Sequence, residues 1–450
     1  MSSVFETLED RTLLSHHHAP AVTNVLSVSS NHRYLVQSDG SPFFYMADTA
    51  WNLFDRTTIK QANSYLQTRA DEGFTVIQAE INARLGADVY GDAPFINRNP
   101  ERPNEAYFEY VDQVVTSATS LGMYVALVPL DSTWSQNGIF NRDNAYDFGR
   151  YLGRRYANSK MIWVLGGDVS GDDGDGIAMW RNLAAGITRG VANARGAGNR
   201  DYSQTMMTFH PFYAESSSQW FQKDEWLDFN AIQSGHSLNP SNYNLIAADY
   251  GKNPAKPVID IESDYEDIPA GIKRGAVRLT DYDVRKSAYW SLFAGSFGVT
   301  YGNNNVWQFV TKPNGSNLAT TSWPNALTTA GTTSLAVLKR LMNSRPFLNR
   351  VPDQSMIVGS QMSGTDRLQA TRAADGSYAF VYDSSGKPVT VNLNKLSGSQ
   401  VEVRWYNPRN GKSAYLGVFA KSGNRTFSAP TAGVDWVLVV DDAAKKYGKP

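Results

Sequence analysis

The sequence predicts an α/β chain: a (β/α)8 TIM barrel over residues 29–350, followed by a small C-terminal β-sandwich over residues 351–450. Three observations predict it. Between Arg33 and Asn303, eight apolar strand-like runs alternate with mostly helical patterns, the signature of a parallel sheet wrapped by helices. Each of those runs ends on a polar residue. After Arg345-Pro346 the helical period stops and short alternating runs with turn signals take over, as in SYAFVYDSSGKPVTVNL and VDWVLVVDD, which is the pattern of an antiparallel β domain. A doubly wound open sheet is the competing arrangement, but no Gly-x-Gly-x-x-Gly follows the first strand.

The elements follow in order. RYLVQSDGSPFFYMADTAW reads as a hairpin turned at Asp39-Gly40, leading into a first strand that ends near Asp48. A helix, TTIKQANSYLQTRADEG, closes on Gly73. The second strand is FTVIQAEI, the next helix NEAYFEYVDQVVTSATSLG and the third strand MYVALVPL. The helix RDNAYDFGRYLGRRYAN feeds the fourth strand, MIWVLGG, and a helix is expected around Ala178 to Ala194. TMMTFHPF and FNAIQSGH are the fifth and sixth strands, and a helix near Tyr243 to Tyr250 precedes the seventh, KPVIDIES. The helix DYDVRKSAYWSLFAGSFG and the strand VTYGN complete the set.

Composition narrows the function. With 42 basic and 43 acidic side chains, nothing favours nucleic acid or an anionic membrane as partner, and no apolar run is long enough to span a bilayer. The absence of cysteine excludes disulfides and thiolate chemistry. Aromatic residues make up 12%, a level that suits a sugar-binding cleft as well as a core. No Gly-x-Ser-x-Gly elbow and no phosphate loop is present. The acidic stretch GGDVSGDDGDG fits no register of a helix–loop–helix calcium site, because acids and glycine never fall together at the required positions.

In a barrel the chemistry sits at the carboxyl ends of the strands. Those ends are Asp48, Glu80, Asp131, Asp168, His210, His236, Glu262 and Tyr301. Two of them stand out. Gly166 and Gly167 let backbone approach a ligand just before Asp168. In the seventh strand, alternation predicts Ile259 and Ile261 against the outer helices, with Asp260 and Glu262 turned inward. Carboxyls on strands four and seven face each other across a barrel mouth. They could bracket a glycosidic bond, one protonating the departing oxygen and the other meeting the positive charge on the sugar. Asp172, Asp173 and Asp175 read as a solvated loop. Trp51, Trp134, Tyr265, Tyr301 and Trp307 follow or end strands and are candidates to face a sugar, with two or three expected to line the pocket. Gln233, on the sixth strand, joins Asp48, Glu80, Asp131, His210 and His236 as a candidate substrate contact. A two-histidine, one-carboxylate metal set of His210, His236 and Glu262 stays open as an alternative, although no cofactor or metal is required by the two-carboxyl chemistry.

These same residues carry a resemblance. ADTAW, FTVIQAE, WVLGGD, TFHP followed by SSSQWF, WLDFNAIQSGH, DYDVR with AYWSLFAG, and TYGNNNVWQF occur in the order found in the apiosidase-like glycoside hydrolases, family 140 and its relatives. The resemblance runs from about Arg33 to Phe309 and continues into a C-terminal domain of the collagen-binding type, although no collagen-specific feature is visible. It implies a barrel of retaining glycosidases in which Asp168 is the acid/base and Glu262 the nucleophile. It further implies a carbohydrate partner, a plant or algal polysaccharide, of which terminal apiose in a pectin side chain is one case. A non-catalytic carbohydrate-binding protein on a retired barrel is the alternative class. A transglycosylase would use the same residues. Residues 1–28 are expected to be a disordered leader. Within it, VFETLEDRTLLS resembles a short N-terminal motif of exported bacterial proteins, with Asp10 in place of the usual proline, which implies an extracellular or cell-surface location.

Overall fold

A computed structural model describes residues 26–81, 86–173, 175–314, 316–359 and 361–450. The leader and its export-type motif lie outside these residues, apart from the last positions of the leader. The described chain opens with three short antiparallel strands, Ser27–Val28, Leu35–Val36 and Pro42–Phe43, and the hairpin turns at Gly40 with φ +80°.

Eight parallel strands follow in chain order: β1 (Tyr45–Thr49), β2 (Val76–Glu80), β3 (Tyr124–Val128), β4 (Met161–Leu165), β5 (Met207–Phe209), β6 (Asn230–Gln233), β7 (Val258–Glu262) and β8 (Gly298–Tyr301). All residues of these strands are buried, as expected of strands covered on both faces. The helices between and after them are α1 (Ile59–Asp71), α2 (Glu105–Ser120), α3 (Arg142–Arg155), α4 (Gly176–Ala194), α5 (Asn242–Tyr250), α6 (Asp281–Phe293) and α7 (Ala330–Asn343). Local chemistry sets their ends. Thr58 and Gln61 form a capping box on α1, Asn141 and Asn144 another on α3, and Asn104 caps α2. Only a four-residue helix, Ser218–Phe221, separates β5 from β6.

The closed eight-stranded ladder expected from the sequence is resolved into two pieces. β8, β1, β2, β3, β4 and β5 form one curled six-stranded sheet, while β6 and β7 pair separately. The pieces touch at both joins. Asp228 N–H donates to Met207 O at 2.9 Å and Thr208 Oγ1 to Phe229 O at 2.7 Å. On the other side, Phe297 N–H donates to Val258 O at 3.0 Å and Thr300 Oγ1 to Asp260 O at 3.0 Å.

The C-terminal unit is an antiparallel sheet. Its strands are β9 (Arg350–Pro352), β10 (Leu368–Ala373), β11 (Tyr378–Asp383), β12 (Val389–Asn392), β13 (Gln400–Tyr406), β14 (Ser413–Ala420), β15 (Asn424–Phe427) and β16 (Trp436–Asp442). Six pair in the order β9-β10-β11-β16-β13-β14, and β12 pairs with β15. The period of two divides this sheet between two cores. Ala379, Val381, Leu438 and Val440 pack with Val389, Val391 and Phe427 of the two-stranded ladder. Their alternates Phe380, Tyr382, Val437 and Val439 pack with Tyr289 and Phe293 of α6. This explains why α6 is buried without a break from Asp283 to Phe293: it is enclosed by the parallel strands on one side and by the C-terminal sheet on the other. Tyr289 stacks on Tyr382 at 4.6 Å between ring centres, and buried Arg285 forks onto Asp435 at 2.6 and 3.1 Å.

Candidate active site

The carboxyl ends of the parallel strands surround a cavity of about 580 Å³. Glu262 is delivered into it by an irregularity. Asp260 pairs with Ile232, but the next pairing is Glu262 with Gln233, so Ile261 is an extra residue in β7. The faces of β7 therefore differ from those expected by alternation. Ile259 and Ile261 pack with Ala126, Val128, Ile162 and Val164 on the inner side of the sheet. Asp260 points outward, where it accepts from Ser234 Oγ at 2.7 Å and from Asn242 Nδ2 on α5 at 3.2 Å. Burial raises its pKa to about 6. The register shift then turns Glu262 back to the cavity.

Two histidines hold Glu262. Nε2 of His210 lies 3.2 Å from Oε2, and Nε2 of His236 lies 3.4 Å from Oε1. Nδ1 of His236 faces Ser263 O at 3.1 Å, and Trp51 packs edge-on against His210 at 5.5 Å between ring centres. Burial works against the Glu262 charge, but the two histidines more than offset it and hold the carboxyl well below its usual range. His210 shifts the other way. Burial disfavours its charged form, and the Glu262 and Asp168 carboxylates outweigh that to raise its pKa.

Asp168 lines the same cavity. Gly166 (φ +74°) and Gly167 bring its backbone close to β5 and β3. A Cβ on Gly166 would lie 2.6 Å from the Phe209 ring and 2.8 Å from His210 O, and one on Gly167 would lie 3.0 Å from Asp131 Cα. Asp168 itself has φ +53°, a region few non-glycine residues adopt and one that clusters at functional sites. Its N–H donates to Nδ1 of His210 at 3.1 Å. Its carboxyl opens onto the cavity, yet the surrounding protein, then Glu262, raise its pKa, while the Gln233 amide bonds to it.

Glu80 and Asp131 complete an acidic wall. Burial first, then Asp131 and Glu262, push Glu80 well above its usual range. Burial raises Asp131 to about 6, although it also caps the short helix Ser132–Gln136 through Thr133 N and Trp134 N. Tyr265 is buried against His236, 4.4 Å between ring centres, and burial followed by the Glu262 charge keeps its phenol protonated.

The cavity thus gathers Trp51, Glu80, Asp131, Asp168, His210, His236, Glu262, Tyr265 and Trp307, with Gln233 just behind Asp168. Three expected contacts lie elsewhere. Asp48 faces outward and is wholly buried against Arg69 and Tyr65 of α1, with 2.6 Å to Arg69 Nε. Tyr301 also faces outward, donating to Glu266 at 2.5 Å. Trp134 packs in the outer core against Phe95 and Phe140. Asn52, Arg56, Asn304, Gln308 and Leu318 line the cavity without having been expected. The polar run NNNVWQ was the available signal for two of them. As for metal, the two Nε2 atoms lie nearest to separate oxygens of Glu262, at 3.2 and 3.4 Å. Among the described residues no group of three or more histidine, aspartate or glutamate side chains has the geometry to hold an ion.

A curled parallel sheet with several carboxyls gathered in one cavity at its carboxyl-end rim is the architecture of a glycoside hydrolase. The chain is similar over 94% of its length to the crystal structure of a glycoside hydrolase family 5 protein from Bacteroides vulgatus, with 34% identity, 94% of that chain covered and a TM-score of 0.86. It is similar over 95% of its length to a second glycoside hydrolase, again at 34% identity, with 98% of that chain covered and a TM-score of 0.87. No curated protein matches it. Residues 29–349 match the family described as "Apiosidase-like, catalytic domain", and the chain belongs to that family. Residues 351–441 match the family described as "Putative collagen-binding domain of a collagenase". Among the described residues no helix is long and apolar enough to cross a membrane.

Proposed function

We propose that this chain is a retaining glycosidase acting on a plant or algal polysaccharide, and that its two parallel ladders work as one (β/α)8 barrel, as in family 140. The observation that carries the proposal is the split between two carboxyls of one cavity: Glu262 held ionised by two histidines, and Asp168 pushed toward its protonated form. Environments that drive two titratable groups apart in this way assign the nucleophile and the acid.

In the first step a Glu262 oxygen attacks the anomeric carbon. The bond from that carbon to the leaving oxygen breaks, and the Asp168 proton passes to that oxygen, giving an ester between Glu262 and the sugar. Esterification removes the Glu262 charge that helped to keep Asp168 protonated. Asp168, now ionised, takes a proton from water as the water oxygen attacks the anomeric carbon. The ester bond breaks and both carboxyls return to their starting states. No cofactor enters either step. A polymeric substrate that cannot cross a membrane would place the enzyme outside the cell or on its surface, in keeping with the motif within residues 4–15.

The test begins with a panel of aryl glycosides and pectin fractions, followed by two substitutions. Asp168→Asn should lower turnover of natural substrates by about 10²–10⁴-fold and spare the first step on an aryl glycoside with a good leaving group. Azide should then rescue turnover with retained configuration. Glu262→Gln should lose both substrates, and any azide product should be inverted. Exchanged phenotypes would overturn the assignment.

A further inference from the structure

The loop that follows β5 bears two large aromatic side chains that no core uses: Phe212 is 48% exposed and Tyr213 55%. Leaving such rings in water forgoes the gain of burying them, and the backbone that presents them is tightly fixed. Both ends of the segment fasten to the loop that carries Asp168. At one end, His210 accepts from the Asp168 N–H at 3.1 Å. At the other, Glu215 accepts from Ser170 Oγ at 2.8 and 2.9 Å. Between them Ala214 takes φ +63° and donates its N–H to Gln233 O at 2.9 Å. The Tyr213 ring is seated on Gly235, where a Cβ would come within 2.3 Å of it. The next residue, His236, is one of the two that hold Glu262.

We propose that Phe212 and Tyr213 form a stacking platform for the leaving-group part of the substrate, a neutral carbohydrate ring presenting a flat C–H face. The proposal rests on the glycosidase reading above. In that reaction the acid stands on the leaving-group side of the scissile bond and the nucleophile on the side of the transferred sugar. A surface clamped at both ends to the Asp168 loop therefore meets the leaving group. Rings held in this way offer contact area at little ordering cost.

The experiment compares two substrates of the same transferred sugar: a 4-nitrophenyl glycoside, whose leaving group is a ring, and the glycosyl fluoride, whose leaving group has none. For the aryl glycoside, Phe212→Ala and Tyr213→Ala should each lower kcat/KM roughly 3- to 10-fold, and the double variant more. For the fluoride the loss should stay within about twofold, and transfer to added acceptor sugars should fall in parallel with the aryl glycoside. Tyr213→Phe, which keeps the ring, should restore the aryl rate. Equal losses on both substrates, or none on either, would overturn the platform. If the unaltered protein turns over neither substrate, the glycosidase reading fails. The two rings are then judged as a carbohydrate platform alone, without a leaving group, by calorimetric titration of the unaltered protein and the double variant with pectin oligosaccharides. Weaker binding by the double variant upholds it, and equal binding, or none by either protein, refutes it.

Discussion

Removing one histidine at a time from Glu262 tests the electrostatic core of the proposal. Each imidazole lies at ion-pair distance from a different carboxylate oxygen, 3.2 Å for His210 and 3.4 Å for His236, and all three side chains are nearly buried. A hydrogen-bonding contact to a charged group contributes about 1.5–3 kcal/mol, and about 1.4 kcal/mol corresponds to one pKa unit. His210→Ala or His236→Ala should therefore raise the Glu262 pKa by about 1–2 units, because burial, which pushes it upward, is then less opposed. The sign follows from its role. In the proposed reaction Glu262 must be ionised to attack, so the acidic limb of kcat/KM against pH should move upward by that amount, with activity lost sooner as pH falls. The two variants should also differ. His210 accepts from the strained Asp168 N–H, so its loss should lower kcat at the optimum as well, whereas His236→Ala should chiefly move the limb. The assay is a kcat/KM profile on an aryl glycoside, with circular dichroism to confirm the fold. A limb that stays in place in both variants, or moves downward, would remove the histidines from control of Glu262.

Three further outcomes are expected. Gly166→Ala places a Cβ 2.6 Å from the Phe209 ring at φ +74°, which should destabilise the fold by about 1–3 kcal/mol and lower kcat, read by thermal melting and by rate. Asp48→Ala strands the buried Arg69 guanidinium, which keeps Glu72 as a second partner. The loss should be about 3 kcal/mol, the lower end for a broken buried pair, while KM stays unchanged; an altered KM would return Asp48 to the substrate site. Arg285→Met breaks the fork to Asp435, which keeps Arg409 as a second partner, and should cost about 3 kcal/mol. Limited proteolysis near residues 345–351 should then cut faster, and an unchanged cleavage rate would show that the two units do not depend on this pair.

Much of this architecture is legible in the sequence, for physical reasons. Strands covered on both faces read as continuous apolar runs, and helix ends announce themselves through Thr58, Asn104, Asn141 and Gly73. Asp168 is legible because Gly166 and Gly167 precede it, and both are needed sterically. What composition and period do not reveal is which way a strand-end side chain turns. Asp48 and Glu80 end neighbouring strands in the same kind of context. Asp48 goes to α1, where Arg69 waits, and Glu80 goes to the cavity. The difference is one of register, and register depends on partners far away in the chain. The helix α6 hides a similar ambiguity. Its lack of a polar face has a cause some 90 residues later, in the alternate residues of β11.

In the seventh strand Glu262 reaches the cavity by a step that strict alternation does not give. Strict alternation puts Asp260 and Glu262 on one face, so a regular strand brings Glu262 to the cavity only with both turned inward. In the structure that face is the outer one, and Asp260 satisfies it through Ser234 and Asn242. Had β7 stayed regular, Glu262 would have followed Asp260 toward the helices and left His210 and His236 without their carboxylate. The extra residue at Ile261 separates the two fates. It lets Ile259 and Ile261 fill the interior while the strand still ends with a carboxyl over the cavity. An irregularity of this kind is invisible in composition, yet it aims Glu262 at the cavity and its two histidines.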